Sequence, residues 1–207
     1  MKLLAMKPSA AQGKVLLQFE DGTKLRVPYF LASDFSLHSD TELDDETFER
    51  LKKAAGEQSA KERAVRVLSM TNISKSGLRK RLRQKGESDE DAEKAVAWLD
   101  ELHFLDDRRA GEAVVQTAAA KGYGKRRIRE ILREKGFEDP LREQLLDDLP
   151  PMNDAIDRII RQKIKSENPE QKEIQRAIDA LLRYGHEWQD IRAGLERFRS
   201  GLSLEEA

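Results

Sequence analysis

The sequence predicts a mainly α-helical protein in which three tandem three-helix repeats form an elongated, curved array, preceded by a small N-terminal β-hairpin extension. Hydrophobic residues make up 38% and charged residues 37% of its 207 residues, a balance that suits thin helical layers better than one deep core. A helix that ends in glycine recurs at regular intervals along the chain. Alternation typical of β-strands is confined to a short stretch near the N-terminus.

The N-terminal stretch carries a strong hairpin signal. Two β-rich runs, 14–20 and 23–28, flank Asp21 and Gly22. Both central residues of a type I′ turn adopt φ > 0, a conformation that suits an Asp-Gly pair. Residues 2–6 are a candidate third strand. We therefore expect a hairpin here, joined by this turn.

A two-stranded hairpin is only marginally stable in water, so this one should pack on a helix. The segment 44–55 is the candidate support, because Phe48 and Leu51 form a short apolar helical face.

The repeats are defined by helix endings that contain leucine and glycine. Leu78 and Leu82 precede Gly86 at four-residue spacing, and equivalent endings follow at Gly136 and Gly185, shifted by 50 and then 49 residues. Each ending belongs to the middle helix of three. The predicted helices are 61–70, 75–85 and 89–102, then 107–121, 125–135 and 140–148, and finally 154–165, 169–184 and 187–199. The predicted domains are an extension, three repeats and a tail: 1–57, 58–105, 106–150, 151–200 and 201–207.

The starts of several helices have capping residues. Polar side chains at these positions can accept hydrogen bonds from the free N–H groups of the first turn, and proline suits the first helical position. The predicted N-caps are Ser88 in a box with Asp91, Asp106, Asp139 before Pro140, and Asn168 before Pro169.

The centre of the chain consists of two predicted helices joined by a tight basic turn. The first ends at Lys121–Gly122, a cation followed by a glycine able to take φ > 0. The second, 125–135, has Ile128 and Leu132 on one face and a crowded cationic surface elsewhere.

The run from Leu105 to Phe137 resembles the central signature of the RecX family. The match covers the leucine and two aspartates, the KGYG turn, the Arg-Ile pair and the closing KGF. One departure is Arg109–Ala110, where the family usually has an aromatic residue followed by alanine.

The resemblance implies a non-enzymatic regulator of homologous recombination and DNA repair, linked to the SOS response. Such a protein binds RecA and the RecA filament on single-stranded DNA, and it typically inhibits ATPase and strand-exchange activity. Some members of the family also carry a hairpin-containing extension before their helical repeats.

Charge is strongly segregated although the net charge is only −1. Residues 61–86 hold nine bases and one acid, residues 87–107 hold nine acids and one base, and residues 121–135 hold seven bases and two acids. One interpretation is that these are solvated helix faces with i,i+4 pairs. The other is that stacked repeats merge the basic middle helices into a stripe that faces phosphates.

The predicted partner-binding and DNA-binding residues lie on the two basic middle helices and the turn between the central helices. Such cations contact the nucleic-acid backbone and confer little sequence preference. The aromatic side chain among them could stack on a base, although packing that seals the turn is favoured. The candidates are Arg79, Arg81, Arg83, Lys85, Tyr123, Lys125, Arg126, Arg127, Arg129 and Arg133.

Two other functions remain open. A free-standing DNA-binding protein with helix-turn-helix-like modules would need Asn, Gln or Ser among the arginines of its recognition helix, and the basic helices contain few. A helical solenoid that binds only protein is the third possibility.

Several chemical classes are disfavoured. The chain has no cysteine, and its histidines, His38, His103 and His186, are scattered without ligand spacing. Capping explains Asp106–Asp107 better than acid–base chemistry does. We therefore predict no enzyme activity, no cofactor and no metal.

The chain is expected to be cytoplasmic and monomeric. The apolar residues before Lys7 are too few for a signal-peptide core, and no segment reaches the length of a membrane span. Trp98 is predicted to be a core residue, whereas the environment of Trp188 is left open.

Overall fold

The computed structural model describes residues 1–10, 13–166 and 168–205, with side chains up to residue 201. It is mainly helical with a three-stranded N-terminal sheet, so the predicted fold class is confirmed. The elongated, curved arrangement stays a prediction. The elements are β1 (Leu3–Pro8), β2 (Lys14–Phe19), β3 (Lys24–Pro28), α1 (Tyr29–Asp34), α2 (Asp45–Met70), α3 (Lys75–Gln84), α4 (Asp89–Glu101), α5 (Asp107–Ala120), α6 (Lys125–Glu134), α7 (Asp139–Asp147), α8 (Asn153–Lys163), α9 (Gln171–Tyr184) and α10 (Trp188–Glu205).

The chain divides into two compact units. The first comprises Met1–Thr71 and Leu78–Phe104, and the second comprises Asn72–Gly77 and Leu105–Ala207. The first three residues of α3 therefore belong to the second unit, and the rest of that helix belongs to the first. The predicted division into five segments remains a prediction.

The sheet of the first unit is antiparallel in the order β1-β2-β3, which confirms the third strand. The predicted type I′ turn is wrong, because of its two central residues, Asp21 and Gly22, only Gly22 has a positive φ, at 84°. The Asp21 carboxylate instead accepts hydrogen bonds from the Thr23 N–H at 2.9 Å and the Thr23 hydroxyl at 2.6 Å. A three-residue loop with one left-handed glycine results.

A single long helix, α2, supports the sheet. The rings of Phe19 and Phe48 meet edge to face at 4.8 Å, and Leu51 is fully buried, as predicted. The two helices predicted at 44–55 and 61–70 are instead one. Its N-terminal turns pack under the sheet, whereas its middle and C-terminal turns pack on α4. The apolar stripe therefore changes face along the helix, and helical periodicity alone does not predict one continuous helix.

Helices α3 and α4 complete the first unit. Leu78, Leu82 and Leu99 are fully or almost fully buried. Ser88 accepts from the Asp91 N–H at 3.0 Å, which confirms the predicted N-cap. Trp98 is only half-buried and is not the core residue predicted, because the core face of α4 is filled by smaller side chains such as Ala95.

In the second unit, helices α5–α7 and helices α8–α10 each enclose an apolar core. Their bounds agree with the predicted helices of the second and third repeats to within two residues, except that α10 continues to Glu205 instead of ending at 199. The first core contains Val114, Ala118, Ile128, Leu132, Phe137, Leu145 and Leu146, and the second contains Ile156, Ile159, Ile160, Ile164, Ala177, Ala180, Leu181 and Ile191.

The predicted caps of the second unit are partly correct. Asp106 accepts from the Arg109 N–H at 3.0 Å, as expected. The residue Glu138 occupies the N-cap of α7, one position before the predicted Asp139. Helix α9 begins after Glu170 rather than at Asn168, because a capping box forms in which the Glu173 carboxylate accepts from the Glu170 N–H at 3.2 Å.

We expect Phe48→Ala to lower the free energy of unfolding of the first unit by about 3–5 kcal/mol, because it removes a buried ring and leaves a cavity beside Phe19. Urea denaturation measures this loss. The matched control is Phe30→Ala, whose side chain is 54% exposed and should change stability by less than about 0.5 kcal/mol. Equal stability of the two variants would contradict the role assigned to the Phe19–Phe48 contact.

Candidate nucleic-acid interface

The cations of α3 are partly neutralised by the acidic helix that follows. Arg79 pairs with Glu93 at 2.6 Å, and Arg83 pairs with Asp89 at 2.7 Å. Arg81 and Lys85 are exposed and have no acidic partner among the described residues. Two of the four candidates on α3 or directly after it are therefore engaged in ion pairs with α4.

The cations of α6 likewise include some that pair with carboxylates and some that do not. Arg129 donates two parallel hydrogen bonds to Glu143, each 3.0 Å long, and this pairing raises the pKa of Arg129 and lowers the pKa of Glu143. Arg127 pairs with Glu130 at 2.9 Å.

The remaining cations of α6 are Lys125, Arg126 and Arg133. Across the part of the chain with described side chains, none of the three meets a carboxylate. Together with Arg81 and Lys85 they form what we call the unpaired cations. The predicted stripe that joins α3 to α6 stays a prediction.

The turn before α6 is built by close backbone contacts with the turn after α9. The Gly124 N–H donates to the Tyr184 carbonyl at 2.9 Å, and the Arg126 N–H donates to the Gly185 carbonyl at 3.1 Å. A Cβ atom on Gly124 would lie 2.5 Å from both the Gly185 carbonyl oxygen and the His186 nitrogen. Only glycine permits this approach.

The same kind of backbone contact between two turns, which we call a joint, recurs one repeat earlier. The Ser74 N–H donates to the Lys135 carbonyl at 3.3 Å, and a Cβ atom on Gly136 would lie 2.5 Å from the backbone of Gly77. Ser74 and Gly124 differ by 50 residues, and Lys135 and Tyr184 differ by 49, the two shifts of the sequence repeat. The repeat is thus present in specific backbone contacts within the second unit.

These joints affect how an anion could bind. The N-terminus of a helix can hold a phosphate through its free N–H groups. At α6, the N–H groups of Gly124 and Arg126 are already donated to carbonyls of the neighbouring turn. These two N–H groups are therefore not available to a phosphate, and side chains would have to supply much of its binding.

Arg158 is a cation near the turn that the site prediction omitted. Its guanidinium lies 3.1 Å from the position that a Cβ atom on Gly122 would occupy. With Arg161 and Lys165 it lines a shallow groove of about 470 Å³ along α8 and the residues just after it. The third repeat shows only a weak charge pattern in the sequence, so the sequence gave no reason to select Arg158. Its position beside the turn is what identifies it.

Tyr123 packs as predicted for a residue that seals the turn. Its ring lies 5.6 Å from the ring of Tyr184 and is half-buried against the α5–α7 core. Trp188, whose environment the sequence left open, is 57% exposed at the start of α10.

His186 is a buried part of the joint. Its side-chain Nε2 lies 3.0 Å from the Gly122 carbonyl, to which the neutral imidazole can donate. Burial lowers the pKa of His186 below its ordinary value of 6.5.

Among the residues that the structure describes, no group of three or more potential ligands could hold a metal ion. In the same part of the chain, none of the helices combines the length and apolar character needed to cross a bilayer.

We expect Gly124→Ala to destabilise the second unit by about 1–3 kcal/mol, because the added methyl group would overlap the backbone of Gly185 and His186. Thermal or urea unfolding measures the loss. Gly201→Ala is the matched control, since its Cβ would meet nothing within 4 Å. A Gly124 variant as stable as this control would show that the close approach is not required.

We also expect the stability of the second unit to fall with pH below 6.5, the ordinary pKa of histidine, because His186 takes up a proton more readily unfolded than folded. This contribution is fully present above 6.5 and is lost as the pH falls through the lowered pKa of the folded state. His186→Gln should reduce the difference in midpoint between pH 7.5 and pH 5, measured by thermal unfolding. An unchanged difference would assign the pH dependence to other groups.

Comparison with known proteins identifies the relatives of this chain. Residues 106–146 match the family domain described as "RecX, second three-helix domain". A "Regulatory protein RecX" of Cronobacter sakazakii is 31% identical over 152 residues, which cover 66% of this chain and 90% of that protein. One of the same name from Neisseria meningitidis is 26% identical over 140 residues, which cover 68% of this chain and 91% of the relative.

Solved structures agree in fold. A crystal structure of regulatory protein RecX superposes with a TM-score of 0.61 at 19% identity, covering 94% of this chain and 98% of that one. The crystal structure of RecX from Lactobacillus salivarius superposes with a TM-score of 0.60 at 17% identity, covering 70% of this chain and 97% of that one. With 31% identity to a relative that it covers almost completely, this chain belongs to the RecX family of regulatory proteins.

Proposed function

We propose that this protein is a non-enzymatic regulator of homologous recombination that binds RecA and the RecA filament on single-stranded DNA. Its bound form modulates, and typically inhibits, the ATPase and strand-exchange activities of the filament. Membership of the RecX family carries this proposal. The mechanism requires no chemistry in the regulator, because binding across adjacent protomers couples to filament growth or disassembly through affinity alone.

The unpaired cations support a contribution from DNA. A lysine or arginine that already holds a carboxylate must give up that pair to bind a phosphate, whereas Lys125, Arg126 and Arg133 have no such pair to break among the described side chains. Contacts of this kind go to the nucleic-acid backbone and position the protein without reading the sequence.

A free-standing reader of duplex DNA is less well supported. Direct readout requires exposed side chains that pair with base edges, commonly Asn or Gln beside Arg. Helix α6 has the sequence KRRIREILRE, which contains no amide or hydroxyl side chain. A scaffold that binds only protein remains the second candidate, favoured by the ion pairs of Arg79, Arg83, Arg127 and Arg129.

The test is a binding comparison among RecA alone, single-stranded DNA alone and RecA filaments, across a range of salt concentrations. If the five unpaired cations meet about five phosphates, log K for DNA should fall with log salt at a slope near −4. Binding to RecA that is insensitive to DNA would support the protein-only scaffold. Absence of binding to RecA in any form would overturn the proposal.

Reversing Lys125, Arg126 and Arg133 together to Glu should reduce the salt slope to about −2 and weaken inhibition of strand exchange by about tenfold, because three phosphate contacts are replaced by repulsion. The matched control is Arg192→Glu, an exposed cation of α10. Circular dichroism confirms folding of each variant. Unchanged inhibition by the folded triple variant would remove these cations from the interface.

A further inference from the structure

A groove on the first unit is separate from the cationic helices discussed above. It lies between the C-terminal half of α2 and the end of α4 and encloses about 300 Å³. Its lining combines apolar, aromatic and charged side chains. These are Gln58, Lys61, Glu62, Val65, Arg66 and Trp98.

The apolar part of the groove is exposed. Val65 is 47% exposed and Trp98 is half-buried. Leu102, 48% exposed, follows Trp98 by four residues, and Met70, 78% exposed, follows Arg66 by four, so each extends the same helix face by one turn. Single exposed apolar residues are ordinary, but a group of them beside a groove is typical of a binding surface.

The charge of the groove is positive. Its one acid, Glu62, is paired with Lys14 of the sheet and also accepts from the Gln58 amide at 3.4 Å. Lys61 lies over the Trp98 ring at 5.4 Å, and neither Lys61 nor Arg66 has a carboxylate partner among the described residues. An occupant would therefore meet two uncompensated cations that flank an apolar surface.

We propose that this groove binds a short acidic segment of a partner protein. An apolar side chain of the segment packs against Val65 and Trp98, and carboxylates on either side of it pair with Lys61 and Arg66. The inference does not depend on RecA being that partner, and it uses none of the unpaired cations of α3 and α6.

A nucleic acid fits the groove less well. Base stacking requires an open aromatic face. The Trp98 ring is half-buried, and the Lys61 ammonium lies over it. The aliphatic side chains of Val65, Leu102 and Met70 offer a base no stacking surface, whereas they suit the apolar side chains of a peptide.

The experiment uses the full chain and a displayed library of random peptides. Peptides are selected that bind the wild-type protein and not the Val65→Asp variant. We expect the enriched sequences to combine an apolar anchor with Asp or Glu on its flanks. Enrichment of basic or uncharged peptides, or no peptide that distinguishes the two proteins, would overturn the proposal.

Binding of a selected peptide is then measured by tryptophan emission. The chain has two tryptophans, so Trp188→Phe leaves Trp98 as the only reporter. The peptide should shift its emission, and Val65→Asp and Arg66→Glu should each weaken binding by about tenfold, whereas Arg192→Glu should leave it unchanged. Both changed positions are exposed, so the fold should be retained, as circular dichroism checks.

An oligothymidylate serves as the competing probe. If it shifts the Trp98 emission, and Arg66→Glu abolishes that shift, the groove is a nucleic-acid site and the proposal fails. Neither probe contains RecA, so these results are independent of the RecA binding assays.

Discussion

The second unit depends on backbone hydrogen bonds between the start of one middle helix and the end of the next. A helix leaves its first N–H groups and its last carbonyls without partners. Here the N–H groups of Ser74 and Gly124 are donated to the carbonyls of Lys135 and Tyr184, so one contact satisfies both kinds of helix end. The contact requires direct approach of two backbones, which the glycine of each turn permits.

This constraint also determines how the basic helices can act. Because the N–H groups of Gly124 and Arg126 at the start of α6 are already used within the fold, a phosphate there would depend largely on side chains. Those side chains fall into two groups, cations that are held in ion pairs and cations that are not. Arg129 is held by Glu143 of α7, whereas Arg126 has no carboxylate partner among the described side chains. Paired and unpaired arginines therefore occur on the same helix.

Much of the fold was predictable because it rests on local signals. The glycine-ended helices, the Ser88 and Asp106 caps and the Phe48 support of the sheet follow from residues close in sequence or from helical spacing. The errors occur where tertiary packing overrides such signals. The continuity of α2 was not predicted because different parts of the helix are buried by different partners. Trp98 is only half-buried because smaller residues fill the core beside it.

The candidate site shows the same division. The sequence by itself determined the family, the helical repeat and the local excess of cations, because these depend on the order and spacing of residues. Only the tertiary structure decided which cations are unpaired and that Arg158 lies beside the KGYG turn. The physical reason is that Arg79–Glu93 and Arg129–Glu143 join residues 14 positions apart on different helices, and ion pairing depends on distances that spacing along the chain does not fix.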